Sequence, residues 1–222
     1  MKAKTVLIWT IILTAVVIVL GLMLLPRFPE NIAIHWDEQG VADGYGSVFM
    51  GIWFLPLMTI GLALLLLGIP KIDPLRKNIE TFQNEYYLFI LLFVIFFVYL
   101  QVLTLLFNLG YRFNMLALML PAFGGFFYYI GVLMGKAKQN YFIGIRTPWT
   151  LADDQVWDET HRVGGNGFKI SGLLTVLGVF FPSLSIWFMM VPLMVVAIFT
   201  VAYSYVVYRR YHPNHNINGM KL

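Results

Sequence analysis

The sequence predicts an all-α polytopic membrane protein with six transmembrane helices and both termini in the cytoplasm. Three observations indicate this class: long uncharged apolar stretches, a hydrophobic composition, and basic residues confined to alternate loops. Hydrophobic residues make up 59% of the 222 residues and charged residues 12%, which is more apolar surface than a soluble core could enclose. We therefore expect a single membrane domain over residues 1–222, with no separate soluble domain.

The spans follow from stretches long enough to cross a bilayer, whose hydrocarbon core needs about 20 apolar helical residues. A last apolar block, 168–208, is about twice as long as one crossing requires. We expect it to fold back at 181–185, because proline removes a hydrogen-bond donor and serine favours turns. The predicted spans are residues 5–26, 48–69, 86–109, 114–135, 166–182 and 186–208.

The orientation follows from the positive-inside rule, by which lysine and arginine concentrate in cytoplasmic loops. Of the 15 basic residues, only Arg27 and Arg112 fall on the opposite side from the others. The rest are Lys2, Lys4, Lys71, Arg76, Lys77, Lys136, Lys138, Arg146, Arg162, Lys169, Arg209, Arg210 and Lys221. We interpret this charge as topology and contact with anionic membrane lipids, not as direct nucleic-acid binding. The prediction is a multi-pass protein of the plasma membrane.

The membrane interior contains no ionisable side chain at depth, where such a group would mark a catalytic or transport site. Gln101, Thr104 and Asn108 share one face of the third span. They could line a polar path or a peptide groove, but hydrogen bonding between helices is the favoured interpretation. No metalloprotease, serine-hydrolase or phosphate-loop motif occurs in the sequence, and cysteine is absent. We expect neither enzyme activity nor a cofactor.

The first external loop is unlike a simple linker. Apolar Ile32, Ile34 and Trp36 alternate with other residues, which predicts a short strand on a surface, and residues 37–46 are rich in turn formers. Its polar side chains, His35, Asp37, Glu38 and Asp43, match neither the EF-hand nor a zinc pattern, so no metal is expected. Trp36 and Tyr45 are expected to anchor at the level of the lipid headgroups.

The loop between spans four and five is the most distinctive string of the chain. Pro148 forces Thr147 into an extended conformation, and Thr150 with Asp153 has the spacing of a capping box. These features predict a short helix that lies in the cytoplasmic interface and ends at Gly164-Gly165. On residues alone, a structural re-entry element is the favoured interpretation. On the preceding inner loop, Asp73-Pro74 predicts the start of another helix.

The string Asn-Tyr-Phe-Ile-Gly-Ile-Arg-Thr-Pro-Trp-Thr-Leu at 140–151 resembles the signature of the SdpI family of bacterial immunity membrane proteins, which includes YfhL-like paralogues. The first loop resembles the small membrane domain that commonly forms the N-terminal part of such proteins. The resemblance places signature residues at Asn140, Gly144, Arg146, Thr147, Pro148, Trp149, Trp157 and Arg162. In the external loop it points to Pro29, His35, Trp36 and Asp43.

The resemblance implies that the chain protects its cell from a secreted peptide toxin that attacks membranes. It also implies binding of a small winged-helix repressor at the membrane once the toxin is sensed. Two alternatives remain open at this point. One is a transporter or exporter of a small hydrophobic compound or peptide, and the other is a membrane enzyme acting on lipid-linked substrates, for which His35, Asp37 and Asp43 are the external candidates.

The orientation predicts the outcome of reporter fusions. A reporter fused after Tyr45 is expected on the outer side of the membrane, and one fused after Arg210 on the cytoplasmic side, because the positive-inside rule places these segments oppositely. The measurement is the activity of paired reporters that function on only one side. The same side for both fusions would contradict the six-span topology.

Overall fold

The computed structural model describes residues 1–213, in which eight α-helices and one antiparallel hairpin form. Residues 214–222, with Lys221 of the charge prediction, lie outside the described part. The helices are α1 (Ala3–Leu24), α2 (Val48–Ile72), α3 (Arg76–Thr81), α4 (Gln83–Asn108), α5 (Met115–Met134), α6 (Pro148–Ala152), α7 (Asp154–Leu177) and α8 (Ser185–Tyr211). The strands are β1 (Asn31–Trp36) and β2 (Ala42–Ser47).

Six helical segments of the described range are long and apolar enough to cross a membrane, which confirms the predicted number. They are Ala3–Arg27, Val48–Ile72, Gln83–Asn108, Met115–Met134, Asp154–Phe180 and Pro182–Tyr211. Large apolar side chains such as Met23, Phe54 and Ile198 are exposed on them, as expected for surfaces that face lipid. The two ends of the bundle are called outer and inner below, following the orientation predicted from the basic residues.

The spanning helices pack as two units of three. The front unit contains α1, α2 and α4, and the rear unit contains α5, α7 and α8. Buried aliphatic residues such as Val6, Ala63 and Ile90 form the core of the front unit. The units meet along α4 and α5, where the rings of Phe96 and Phe123 have centroids 4.9 Å apart. This boundary between the units is called the seam.

Glycines allow α5 and α7 to approach closely within the rear unit. A Cβ atom on Gly131 would lie 2.3 Å from the carbonyl oxygen of Gly165, and one on Gly124 would lie 2.6 Å from the carbonyl oxygen of Gly172. Both pairs are seven residues apart, so they recur on the same face of each helix. Close backbone approach is a common basis of packing between membrane helices, which lack a hydrophobic driving force between them.

The predicted end of a helix at Gly164-Gly165 is wrong, because α7 runs without interruption from Asp154 to Leu177. The short interfacial helix is therefore not confirmed, and its sequence forms the inner end of span five, which begins well before residue 166. The physical reason is that both glycines are buried against neighbouring helices. Within residues 1–213, a positive φ occurs only at Gly40, Gly110 and Gly144, so neither glycine terminates a helix.

The predicted capping box involves different residues from those expected. Thr147 is the N-cap of the five-residue helix α6, and its reciprocal partner is Thr150. Asp153 instead caps α7, accepting hydrogen bonds from the backbone N–H groups of Gln155 and Val156. The inner helix start expected at Asp73-Pro74 is displaced to α3, which begins at Arg76.

The external loop contains the predicted strand and a second strand that was not predicted. β1 pairs antiparallel with β2, in a register that places Asn31 opposite Ser47 and Ala33 opposite Tyr45. The Asp37 carboxylate accepts hydrogen bonds from the backbone N–H groups of Gln39 and Val41 and so forms the turn. β2 escaped prediction because glycines occupy two of its six positions, which lowers strand propensity.

The α5–α7 crossing predicts a large effect of one added methyl group. Gly131→Ala is expected to destabilise the chain by about 1–3 kcal/mol or more, because its Cβ meets backbone that cannot rotate away. The measurement is the apparent Tm of the detergent-solubilised protein. Gly125→Ala on the same helix is the matched control, since a Cβ at Gly125 meets nothing within 4 Å. Equal Tm values for the two variants would contradict the close crossing.

Candidate functional site at the two ends of the seam

The hairpin is attached to the front unit by one side-chain amide of α4. The Asn108 Oδ1 atom accepts from the Ala33 N–H at 2.7 Å, and its Nδ2 atom donates to the Ala33 carbonyl at 2.9 Å. The amide therefore pairs with β1 as a neighbouring strand would, and it satisfies both polar groups of a buried backbone residue. Loss of Asn108 would remove a hydrogen-bond partner from each of these two groups.

A second amide attaches the same hairpin to the rear unit. Asn114, the N-cap of α5, donates from Nδ2 to the Gln39 carbonyl in the hairpin turn at 2.6 Å. Gly40 beside it has a φ of 78°, and a Cβ there would lie 2.4 Å from the Asn114 Oδ1 atom. Only glycine fits this position. The hairpin thus bridges the outer end of the seam.

The predicted external residues lie on this hairpin or just before it and do not form one cluster. His35 and Asp43 contact each other at 2.6 Å, and both side chains are largely exposed. Pro29 is exposed before β1. The Trp36 ring packs edge-on against Phe107 of α4 at 5.4 Å, and its buried Nε1 atom has no hydrogen-bond partner among the described residues. Within residues 1–213, no group of three or more histidine or carboxylate residues is placed to hold a metal ion.

The predicted intramembrane residues bond to backbone. The buried Gln101 amide donates to the Gly51 carbonyl of α2 at 2.8 Å, and the Thr104 hydroxyl donates to the Leu100 carbonyl of its own helix at 3.0 Å. Of the three residues, only Gln101 bonds to another helix, whereas Thr104 bonds within α4 and Asn108 bonds to β1.

The inner end of the seam is bridged by a buried carboxylate that the sequence did not single out as a site residue. Asp73 accepts from the Leu75 N–H at 2.6 Å and from the Tyr141 N–H at 2.9 Å. Asn78 of α3 donates to the Gln139 carbonyl at 2.8 Å. The inner loop of the front unit thereby holds residues 136–147 of the rear unit, which we call the signature loop. The helix-start pattern at Asp73 did not predict its contact with the Tyr141 N–H.

Asn140 gives the signature loop its shape. Its Nδ2 atom donates to the carbonyls of Lys138 and Ile143, at 2.8 and 3.0 Å, and its Oδ1 atom accepts from the N–H groups of Phe142 and Ile143, at 2.9 and 2.6 Å. The side chain is fully buried. Four bonds to nearby backbone close a turn that no helix or strand ladder supports. Asn140 is therefore a positioning residue of the loop.

Gly144 and His161 connect the loop to α7. The Ile145 N–H donates to His161 Nε2 at 2.8 Å, and His161 Nδ1 is 2.8 Å from the Trp157 carbonyl, so the neutral tautomer with the proton on Nδ1 fits both contacts. Gly144 has a φ of 112°, and a Cβ there would lie 2.3 Å from His161 Nε2. His161 was not among the predicted site residues, although its spacing of four from Trp157 places the two on one helix face.

The Trp157 side chain packs against His161. Its ring stacks on the His161 ring with centroids 3.9 Å apart, and its Nε1 atom donates to the Ala137 carbonyl at 2.8 Å. Both side chains are buried. The Trp157–His161 pair thus holds the signature loop at two points, Ala137 and Ile145, and connects both to α7.

The remaining predicted residues lie at the edges of the loop. Arg146 is exposed and donates to the Tyr141 carbonyl at 2.8 Å. The Thr147 hydroxyl contacts the Ser204 hydroxyl of α8 at 3.0 Å. The Trp149 ring lies 5.1 Å from the Tyr205 ring of α8. Pro148 occupies the first turn of α6, and Arg162 is exposed on α7.

Two carboxylates at the start of α7 have partners of their own. Burial raises the pKa of the Asp153 carboxyl, but bonds from the Val156 N–H, from His212 and from the Gln155 N–H together outweigh burial and hold that pKa below its ordinary value. Asp158 pairs with Lys138 of the signature loop at 2.8 Å. These contacts keep the N-terminal end of α7 attached to the loop and to the end of α8.

Comparison with known proteins shows which family the chain resembles. Residues 136–204, which include the signature loop and α7, match the SdpI/YfhL protein family. Over 212 residues the chain is 28% identical to the immunity protein SdpI of Bacillus subtilis (strain 168), covering 96% of this chain and 97% of the relative. The chain is therefore similar to the SdpI/YfhL family, both in the matched residues 136–204 and in its likeness to this relative over nearly its whole length. Residues 12–60 also match a domain of unknown function, DUF1648. No solved structure matches the chain.

The two matches fall on different parts of the architecture. The SdpI/YfhL match covers the signature loop and most of the rear unit, whereas the DUF1648 match covers part of α1, the hairpin and the first half of α2. The resemblance inferred from the sequence is confirmed. Similarity to an immunity protein over nearly the whole chain supports a role as a membrane immunity protein.

The contact between His161 and the loop predicts a local change in exchange. His161→Phe keeps the stacking on Trp157 but removes the acceptor of the Ile145 N–H, at a cost of about 1–3 kcal/mol for an unsatisfied buried donor. Hydrogen–deuterium exchange of peptides covering 142–147 is expected to accelerate, while exchange in α4 stays unchanged. The control is Asp154→Asn, an exposed position on the same helix. Unchanged exchange in His161→Phe would contradict the bond.

Proposed function

We propose that this chain is an integral immunity protein of the plasma membrane that protects its cell from a secreted, membrane-active peptide. Similarity to the immunity protein SdpI supports the general role. The peptide is proposed to meet the hairpin, because it is the most extensive segment on the side where a secreted peptide arrives. No catalytic step is part of this proposal.

The proposal rests on hydrogen bonds that cross the seam at both ends. At the outer end, Asn108 and Asn114 hold the hairpin from the two units. At the inner end, Asp73 and Asn78 hold the signature loop across the same seam. A peptide that binds the hairpin more tightly in one arrangement of the units than in another will shift the population of that arrangement, and the inner loop will follow.

Several contacts count against the two alternatives. A transport path requires polar groups that face a cavity, but Gln101 and Thr104 bond to backbone. An enzyme acting outside the membrane would use His35, Asp37 and Asp43, of which Asp37 already accepts two backbone hydrogen bonds in the hairpin turn. The Bacillus subtilis relative is also an immunity protein.

The second part of the proposal concerns signalling to the cytoplasm. We propose that the inner surface of α7 recruits a small winged-helix repressor when the peptide is bound outside. Asp154 and Arg162 are exposed there, and surface charges of this kind steer association with a soluble partner. Asp158 is less suited to test the contact, because its bond to Lys138 also holds the signature loop.

The immunity proposal predicts separable outer and inner variants. Asn108→Leu removes both bonds to Ala33 and is expected to abolish protection, whereas Thr104→Val, which loses only a bond within its own helix, should retain it. The measurement is survival of a sensitive strain that expresses each variant, scored against a panel of membrane-active peptides at matched protein abundance. Full protection by Asn108→Leu would contradict a role for the anchored hairpin.

The inner arm of the same experiment uses Asp154→Lys. This variant is expected to protect as well as the unchanged chain but to lose recruitment of a tagged winged-helix repressor, measured as the membrane-bound fraction with and without peptide. Arg162→Gln serves as a second exposed variant. If the repressor stays soluble with the unchanged chain under every condition, the signalling part is excluded and the immunity part is unaffected.

A further inference from the structure

An apolar cavity of about 340 Å³ lies at the inner end of the seam, beneath the signature loop. Side chains of both units and of the loop line it, including Leu66, Ile69, Tyr86, Ile130, Ile145 and Phe168. Tyr86 is the polar member of these six, and its hydroxyl donates to the Leu66 carbonyl at 2.6 Å. The walls are therefore mainly apolar and suit a hydrocarbon better than a polar ligand.

The volume and the location restrict what fills this cavity. Apolar cavities exclude water and take up apolar molecules instead. Pockets for small molecules span about 300–1,000 Å³, so the cavity is at the lower end and suits one hydrocarbon chain better than a folded peptide. The walls come from α2, α4, α5 and α7, all of which are spanning helices. Lipid chains are thus the apolar molecules at highest local concentration.

Three basic residues are close in sequence to residues that line the cavity. Lys71, Arg146 and Lys169 each follow a lining residue by one or two positions, on α2, the signature loop and α7. Lys71 and Arg146 are exposed, and none of the three forms an ion pair with a carboxylate within residues 1–213. The stem of Lys169 lies on α5, where its Cγ atom would be 2.8 Å from a Cβ on Gly131. An apolar cavity with a cationic rim complements an anionic lipid.

We propose that this cavity binds one acyl chain of an anionic phospholipid from the cytoplasmic leaflet, with the phosphate held between Lys169 and Arg146. The chain enters between α2 and α7, which belong to different units, and fills the inner end of the seam. The site is independent of the proposed immunity function, since it requires only the inner orientation of the loop.

The test is native mass spectrometry of the detergent-purified chain, titrated with dioleoyl phosphatidylglycerol or with dioleoyl phosphatidylcholine. We expect one molecule of the anionic lipid to remain bound under conditions that remove the zwitterionic lipid. Ile130→Trp fills the cavity and is expected to abolish retention. Lys169→Gln is expected to weaken it by about tenfold, the factor that corresponds to about 1.4 kcal/mol.

Matched controls separate this site from general lipid binding. Lys4→Gln removes an exposed inner cation on α1, which contributes no residue to the cavity, and Ala122→Trp adds the same ring in the groove between α4 and α5. Both should bind as the unchanged chain does. Leu66→Phe, a smaller filling change, provides a second variant if Ile130→Trp fails to fold.

Three outcomes would overturn the proposal. Equal retention of the two phospholipids would remove the role of the basic rim. Undiminished retention in both filling variants would place the lipid elsewhere on the surface. Displacement of the phospholipid by an equal concentration of oleate would assign the cavity to a free fatty acid instead.

Discussion

Irregular backbone beside a bilayer must have its N–H and C=O groups paired, because the hydrocarbon core contains no water to bond them. In this chain, side-chain amides meet that requirement. Asn108 pairs with both polar groups of Ala33 in the hairpin, and Asn140 makes four bonds within the signature loop. The two non-helical segments, the hairpin and the signature loop, lie at the two ends of the seam, where these amides bond their backbone.

The inner segment depends in addition on the continuity of α7. His161 accepts the Ile145 N–H only because the helix presents its imidazole beneath the loop. That presentation depends on the rear unit, where Gly131 of α5 allows the backbone of α7 at Gly165 to approach. The glycine crossing therefore contributes to the position of α7 beneath the signature loop.

The sequence was sufficient for the features that follow from apolar length and turn chemistry. Hydropathy gave six spans, and Pro182 marked the reversal between the last two. The end predicted at Gly164-Gly165 failed because glycine has two uses, terminating a helix and allowing a close crossing, and a single sequence does not distinguish them. Which helix would face those glycines depends on tertiary packing.

For a related reason, only part of the candidate site could be predicted from the sequence. Asn140 and Gly144 belong to a recognisable string, so the resemblance identified them. His161 and Asp73 act through contacts with backbone 16 and 68 positions away, and a buried residue that bonds to distant backbone leaves no local pattern. The polar face of α4 could be recognised by its spacing, but its partners in β1 and α2 could not.

Under the proposed function, the seam is the boundary at which a bound ligand would act. A response requires two arrangements of the units and a ligand that binds one of them more tightly. A peptide on the hairpin and a lipid in the inner cavity would both act on the same boundary, where Phe96 stacks against rings of α5. Such coupling would be reciprocal. If bound lipid changed the affinity for the peptide by some factor, bound peptide would change the affinity for the lipid by the same factor. Under this proposal, the coupling requires only the packing of the two units and no chain of polar residues through the membrane.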